Sequence, residues 1–222
     1  MASHERIFGW VYYGFQILIL PRLIESLLFT FGTTPTDLQL NLIYFAINFV
    51  ATIGIFHQFL WTSLKKAAPQ FGKCIKTALL GFVMYFAMSF VVSNGILILY
   101  PEYANANNAT ISTMAKDNIL LMFLATVFLV PVAEETVFRG LIFSNIFNHS
   151  KILAYIATAV AFGAIHVVGY LPEIGWFHGL LSLIQYLPAG IALGWTYEKT
   201  DTIVTPVLLH TLINLIGIFT VR

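Results

Sequence analysis

Within one apolar stretch of this chain, Asn118 to Phe147, stand two carboxylates and a guanidinium: Glu134, Glu135 and Arg139. Two later apolar stretches carry His166, and His210 with Asn214. A carboxylate near an imidazole is the pairing that activates water or relays a proton, and an imidazole with a carboxamide can bind a developing oxyanion. Such groups are costly among apolar residues. A charge at the centre of a membrane helix costs about 2.5–3.5 kcal/mol on insertion scales. A cluster of this kind marks a functional site.

Local spacing divides the roles. Glu135 and Arg139 are i,i+4 with the acid on the N-terminal side, the favoured orientation for a helical ion pair. Glu134 points about 100° away around the helix, which leaves it free to act as general base or acid. Phe162 and His166 share the i,i+4 spacing, so the ring can pack on the imidazole; His210 and Asn214 repeat it. Blander roles fit other residues. Glu135 with Arg139 also suits a purely structural pair. His57 and His178 suit helix–helix hydrogen bonds, His4 and His149 suit solvated turns, and Gly140, Gly163, Gly190, Gly194 and Gly217 suit close helix packing.

The elements that position these groups are membrane helices. Of 222 residues, 59% are hydrophobic and 9% charged, against about 25% charged in soluble domains; mean hydropathy is +0.84. Seven apolar stretches are long enough to span: Ile7–Phe31, Leu38–Trp61, Cys74–Tyr100, Asn118–Phe147, Ile152–Tyr170, Phe177–Tyr197 and Thr202–Val221. The expected fold is an all-α polytopic bundle of about seven spans, with a range of six to eight, in one integral domain over residues 1–222. Pro21 interrupts the first stretch, and Arg22 and Glu25 could neutralise each other there. No small-residue cleavage site follows Ile17–Leu20, so this stretch reads as a retained helix.

Lys and Arg placement orients the bundle. With the N-terminus cytoplasmic, Arg6, Lys65, Lys66, Lys73, Lys76, Lys151 and Lys199 lie inside, and Lys116 and Arg222 opposite. The loop Pro101–Asp117, with its Asn108-Ala109-Thr110 sequon, then lies outside, and the cell membrane is the expected location. A net charge of +1 without a basic cluster excludes nucleic acid, and the lone Cys74 excludes an intrachain disulfide.

On a rise of about 1.5 Å per residue from the cytoplasmic ends, Glu134 falls about 20 Å deep, His166 about 21 Å, His210 about 12 Å and Asn214 about 18 Å. Three helices present polar groups near one level. In their order, Glu134-Glu135-x-x-x-Arg139, Phe162-x-x-x-His166 and His210-x-x-x-Asn214 resemble the CPBP intramembrane proteases. These include the type II CAAX prenyl endopeptidases (Ras-converting enzymes) and the bacteriocin-processing, Abi-type proteins. The resemblance covers about residues 118–221 and extends to Pro131, Gly140, the Tyr197–Asp201 turn and Pro206.

The resemblance implies an endopeptidase acting on a membrane-associated protein or peptide within the lipid bilayer. Glu134 would activate water with His166, while His210 and Asn214 would bind the oxyanion. Glu135, Arg139 and Phe162 would support them. Members are often labelled metalloproteases, so zinc is a candidate cofactor with Glu134, His166 and His210 as possible ligands; metal-free activation by carboxylate and imidazole is the alternative. Other protease classes fit worse. The chain has no His-Glu-x-x-His, no Gly-x-Ser-x-Gly, and no aspartate other than Asp37, Asp117 and Asp201, all in loops. Two non-proteolytic readings compete: a bacteriocin self-immunity or scaffold protein that binds through the same polar cluster, and a proton-coupled transporter. The second is disfavoured by the acids lying on one helix and by the lack of a repeat.

Overall fold

The computed structural model describes residues 1–220. Val221, the expected end of the last apolar stretch, and Arg222, counted above opposite the lysines, lie outside the described residues. Among the described residues every regular element is helical. Apolar side chains face outward in numbers no aqueous surface would tolerate; along one long helix Leu79, Leu80, Val83, Phe86 and Phe90 are all exposed. Lipid is the solvent that suits such a face, and the protein is integral to the membrane.

The chain opens with α1 (Ser3–Leu18) and α2 (Leu20–Thr30), bent by 56° at their junction. Pro21 sits at the start of α2, where its missing N–H and fixed φ do least harm. Arg22 and Glu25 are both exposed there, and no ion pair joins them. Next come α3 (Asp37–Ile55), α4 (His57–Ala67) and α5 (Phe71–Leu99). Thr36 and Gln39 close the start of α3 with a reciprocal capping box. Beyond a loop and α6 (Ala106–Asp117) come α7 (Ile119–Phe147), α8 (Lys151–Ile165), α9 (Leu171–Thr200) and α10 (Val204–Thr220).

All seven apolar stretches become helix, but not all at spanning length. Four stretches are long and apolar enough to cross a membrane: Asp37–Ile55, His57–Leu99, Ile119–Phe147 and Val168–Thr200. The bent pair α1–α2 makes a fifth if its halves form one span. Lys151–Ile165 and Val204–Phe219 are shorter. The 15 residues of α8 cover about 22 Å at 1.5 Å each, less than a hydrocarbon core of about 30 Å. Hydropathy runs on through the residues after α8, but the helix stops at His166, which is its C-cap.

Helix α7 lies at the centre, touching α1, α3, α8, α9 and α10. Its Val137, Phe138 and Leu141 form the main core with Phe56, Phe162, Leu193 and Leu209. Helices α8 and α9 pack closely where Gly190 meets Ala159; a Cβ on Gly190 would lie 2.6 Å from Ala159 Cα. The two ends of the bundle differ. At one, Lys66 pairs with Asp201 and Lys151 with Glu198, each at 2.6 Å, and Thr202 Oγ1 donates to Ser63 O. At the other, α6 packs against α7 through Met114, Ala115 and Met122.

Candidate active site

The site begins with a proline. In the first wide turn of α7, the Val130 N–H bonds Ala125 O, one residue further back than in an α-helix. Continuing that register would require an N–H on Pro131 to reach Thr126 O, and an α register would require one to reach Val127 O. Proline has none. Side chains of α10 supply both bonds: Asn214 Nδ2 donates to Thr126 O at 2.7 Å, and Thr211 Oγ1 to Val127 O at 3.0 Å. Pro131 thereby ties α10 to the turn that carries Glu134 and Glu135.

A second wide segment, Thr136–Phe143, follows the acidic pair. Arg139, within it, is fully buried. Its Nη1 donates to Glu135 Oε1 at 3.1 Å and lies 3.0 Å from Oε2, at ion-pair distance but off the hydrogen-bond direction. Nη2 donates to Gly190 O at 3.2 Å, and the guanidinium lies 4.9 Å from the Phe162 ring centroid. A buried charge is tolerated when paired and hydrogen-bonded in this way. Nε has no acceptor among the described residues.

Glu135, also fully buried, receives a second partner from α10: His210 Nδ1 lies 2.7 Å from its Oε1. The bond orients the imidazole as a carboxylate orients a catalytic or metal-binding histidine. It leaves Nε2, on the other side of the ring, to the cavity that His210 lines. His166 is fixed in a parallel manner. Its Nδ1 lies 2.7 Å from Phe162 O; a carbonyl only accepts, so Nδ1 carries hydrogen and the neutral ring presents a lone pair at Nε2. Tyr186 stacks on His166 at 4.5 Å between centroids, and Phe162 packs against both histidines, 4.8 Å from His166 and 5.7 Å from His210.

Glu134, His166, His210 and Asn214 all line one cavity of about 610 Å³. Glu135 and Arg139 lie behind its wall. Glu134 Oε2 is buried and has no hydrogen-bond partner. The arrangement therefore offers a carboxylate with an unused oxygen, two imidazoles with unused Nε2 atoms, and room for a small segment of chain. As for zinc, no three His, Cys, Asp or Glu side chains among the described residues come together as a metal-ligand set. Glu134, His166 and His210 share the cavity.

Four participants had no clear mark in the sequence. Tyr186 is one aromatic among many. Thr211 reads as a helical threonine, though a proline inside an apolar helix does signal an orphaned carbonyl needing a donor. Gly190 supplies a carbonyl rather than only space. Glu5 is fully buried near the lysine end, where its carboxylate accepts from the N–H groups of Ala2 and Phe59 at 2.9 Å each.

A helical membrane protein with paired glutamates on one helix and histidines on two others is the class that fold and site define. Residues 116–216 match the family described as type II CAAX prenyl endopeptidase Rce1-like, a segment that includes Glu134, Glu135, Arg139, Phe162, His166, His210 and Asn214. The chain is also 30% identical over 89 residues to the UPF0177 protein YxdF of Lactococcus lactis subsp. lactis (strain IL1403), a match covering 40% of this chain and 44% of that protein. The match thus spans less than half of the curated relative's length. No solved structure matches.

Proposed function

We propose that the protein is an intramembrane endopeptidase that hydrolyses a peptide bond of a membrane-associated protein or peptide in the cell membrane. The observation that carries this reading is the unpartnered, buried carboxylate oxygen of Glu134 in a cavity shared with His166 and His210. Glu134, with His166 Nε2, positions a water and takes its proton as the oxygen attacks the peptide carbonyl carbon. The oxyanion is met by His210, whose Nδ1 bond to Glu135 supports an imidazolium able to donate from Nε2. Asn214 has one amide hydrogen committed to Thr126 O and a second available to the same oxyanion. The proton then passes to the departing amine as the C–N bond breaks. In this proposed sequence the carboxylate and the imidazoles carry the proton themselves.

Cleavage of a membrane reporter by purified protein tests the reading. Glu134→Gln and His166→Ala should each abolish cleavage while leaving the protein folded, and chelator should leave wild-type activity intact. Full activity in either folded variant would refute the assignment. Loss of activity to chelator with recovery on zinc would refute the metal-free step alone. Glu134→Gln that no longer cleaves but still protects cells from a peptide toxin would favour the immunity role.

A further inference from the structure

The cavity runs from the middle of the bundle toward the end that carries α6. In α5 its lining starts only at Tyr85, in α7 it runs from Thr126 to Phe138, in α9 from Gln185 to Leu193, and in α10 from His210 onward. In α5 and α10 these stretches lie mostly on the half nearer α6, in α7 and α9 they straddle the middle of the helix, and none reaches the residues of the lysine-bearing end. The lysine-bearing end is closed. Phe143, Ala154, Tyr197 and Ile203 pack there with Phe59 and Leu60, and the Lys66–Asp201 and Lys151–Glu198 pairs lie beyond them. The opposite end is roofed by the start of α6: Asn105 Nδ2, at the helix N-cap, donates to Gln185 Oε1 at 2.9 Å, and Asn107 Nδ2 to Tyr186 Oη at 2.8 Å. Lys65, Lys66, Lys73, Lys76, Lys151 and Lys199 belong to the closed end, which the positive-inside rule places in the cytoplasm.

The lining chemistry is as one-sided as the shape. Among the described residues it includes no Lys, Arg or Asp, and Glu134 is its one carboxylate. Between Glu134 and the roof it presents carboxamides: Asn41, Asn105, Asn107, Asn108 and Gln185. A carboxamide offers a donor and an acceptor, the same pair a peptide group offers. Apart from the two histidines at the catalytic centre, no cationic side chain lines this wall to pair with a carboxylate, whether from an acidic side chain or a chain terminus, and Glu134 would repel one.

We infer that the catalytic cavity opens on the non-cytoplasmic face and takes an extended, uncharged or cationic peptide segment from that side, with the first turn of α6 and Gln185 meeting its backbone. The substrate class rests on the proteolytic reading above; the direction of access does not. The roof also reaches the chemistry, because Tyr186 joins Asn107 through its hydroxyl and stacks on His166 through its ring.

Two experiments in cells separate these claims. In a Cys74→Ser background, Gln185→Cys should react with a membrane-impermeant maleimide in intact cells, and Lys151→Cys only after permeabilisation. Gln185→Cys that reacts only after permeabilisation, or only on unfolding, overturns the inferred access. The second uses single-span reporters carrying the same Asn/Ser/Leu/Ala linker on one face of the membrane or the other. Cleavage should favour the non-cytoplasmic linker, and an aspartate placed in it should lower cleavage by at least about tenfold. Preferential cutting of the cytoplasmic linker, or indifference to aspartate, overturns the substrate class while leaving the protease reading intact. Cutting that persists in Glu134→Gln, or no cutting of either reporter, counts against the protease reading, and the labelling result then decides access by itself.

Discussion

Gly190→Ala probes the link between helix packing and the site most directly. A Cβ at this position would sit 2.6 Å from Ala159 Cα and 2.8 Å from Ala159 Cβ. Carbon atoms rest at about 3.5–4.0 Å, so α8 and α9 must part by about 1 Å. Overpacking of this kind costs about 1–3 kcal/mol. The same displacement stretches the 3.2 Å bond from Arg139 Nη2 to Gly190 O beyond bonding range, and a hydrogen bond to a charged group contributes about 1.5–3 kcal/mol. The sum, about 2.5–6 kcal/mol, is a large part of a total stability of about 5–15 kcal/mol. Thermal unfolding in detergent should show a strongly lowered midpoint, with loss of cleavage in the protein that remains folded. Ala159→Gly should not rescue it, because the nearest obstacle is the backbone Cα rather than the methyl group. Gly95→Ala is the control, since a Cβ there meets nothing within 4 Å. A Gly190→Ala protein that melts with the wild type, or full rescue by Ala159→Gly, would refute the argument.

Two further outcomes follow from the bonds around α7. Thr211→Val and Asn214→Leu should each destabilise by about 1–3 kcal/mol by leaving a backbone carbonyl beside Pro131 unpaired, measured as a shift in the unfolding midpoint. Neither variant shifting would show that Val127 O and Thr126 O find other donors. Arg139→Lys keeps the charge beside Glu135 but cannot donate to Glu135 and Gly190 O at once. It should remain folded yet lose about 10–100-fold in kcat/KM, read by reporter cleavage at matched folded fractions; unchanged cleavage would remove Arg139 from the support of the site.

The sequence made the identity of the polar groups legible, and counting along helices put them near one depth, because a regular rise per residue converts position into height. The structure does bring Glu134, His166, His210 and Asn214 to one cavity. It was the bonding between helices that spacing could not supply. Glu135 and Arg139 announce themselves as an i,i+4 pair, but the Glu135–His210 bond joins residues 75 positions apart, and no periodicity encodes such a contact. Asn214 was assigned from its residue type to an oxyanion, whereas one of its amide hydrogens is committed to Thr126 O, a carbonyl freed only because a wide turn precedes Pro131. The same limit applies to helix ends. Hydropathy carries on past Ile165, yet α8 ends there: the His166 N–H bonds Gly163 O in a tighter turn, and the imidazole Nδ1 takes Phe162 O, the acceptor a continuing helix would use.

Why Glu134 rather than Glu135 should do the chemistry follows from what is already committed. Both Arg139 Nη groups are engaged, with Glu135 and Gly190 O, and His210 Nδ1 is engaged with Glu135. Glu135 is thus shut away from the cavity with Oε1 bonded by Arg139 and His210 and Oε2 3.0 Å from the guanidinium, whereas Glu134 lines the cavity with an Oε2 that has neither a hydrogen-bond nor an ion-pair partner among the described residues. In a low-dielectric interior an unsatisfied carboxylate oxygen is a standing cost, one that a purely structural cluster would remove by substitution with an apolar residue. The cost is offset when something small and polar completes the bond. Water held between Glu134 and an imidazole Nε2 does so, and water held there is also the nucleophile that hydrolysis requires. Under the proposed hydrolysis, the two anchored Nδ1 atoms hold both rings in place for the work of the opposite nitrogens. Fixing one ring nitrogen so that the other has a defined role matters to proton transfer far more than to adhesion.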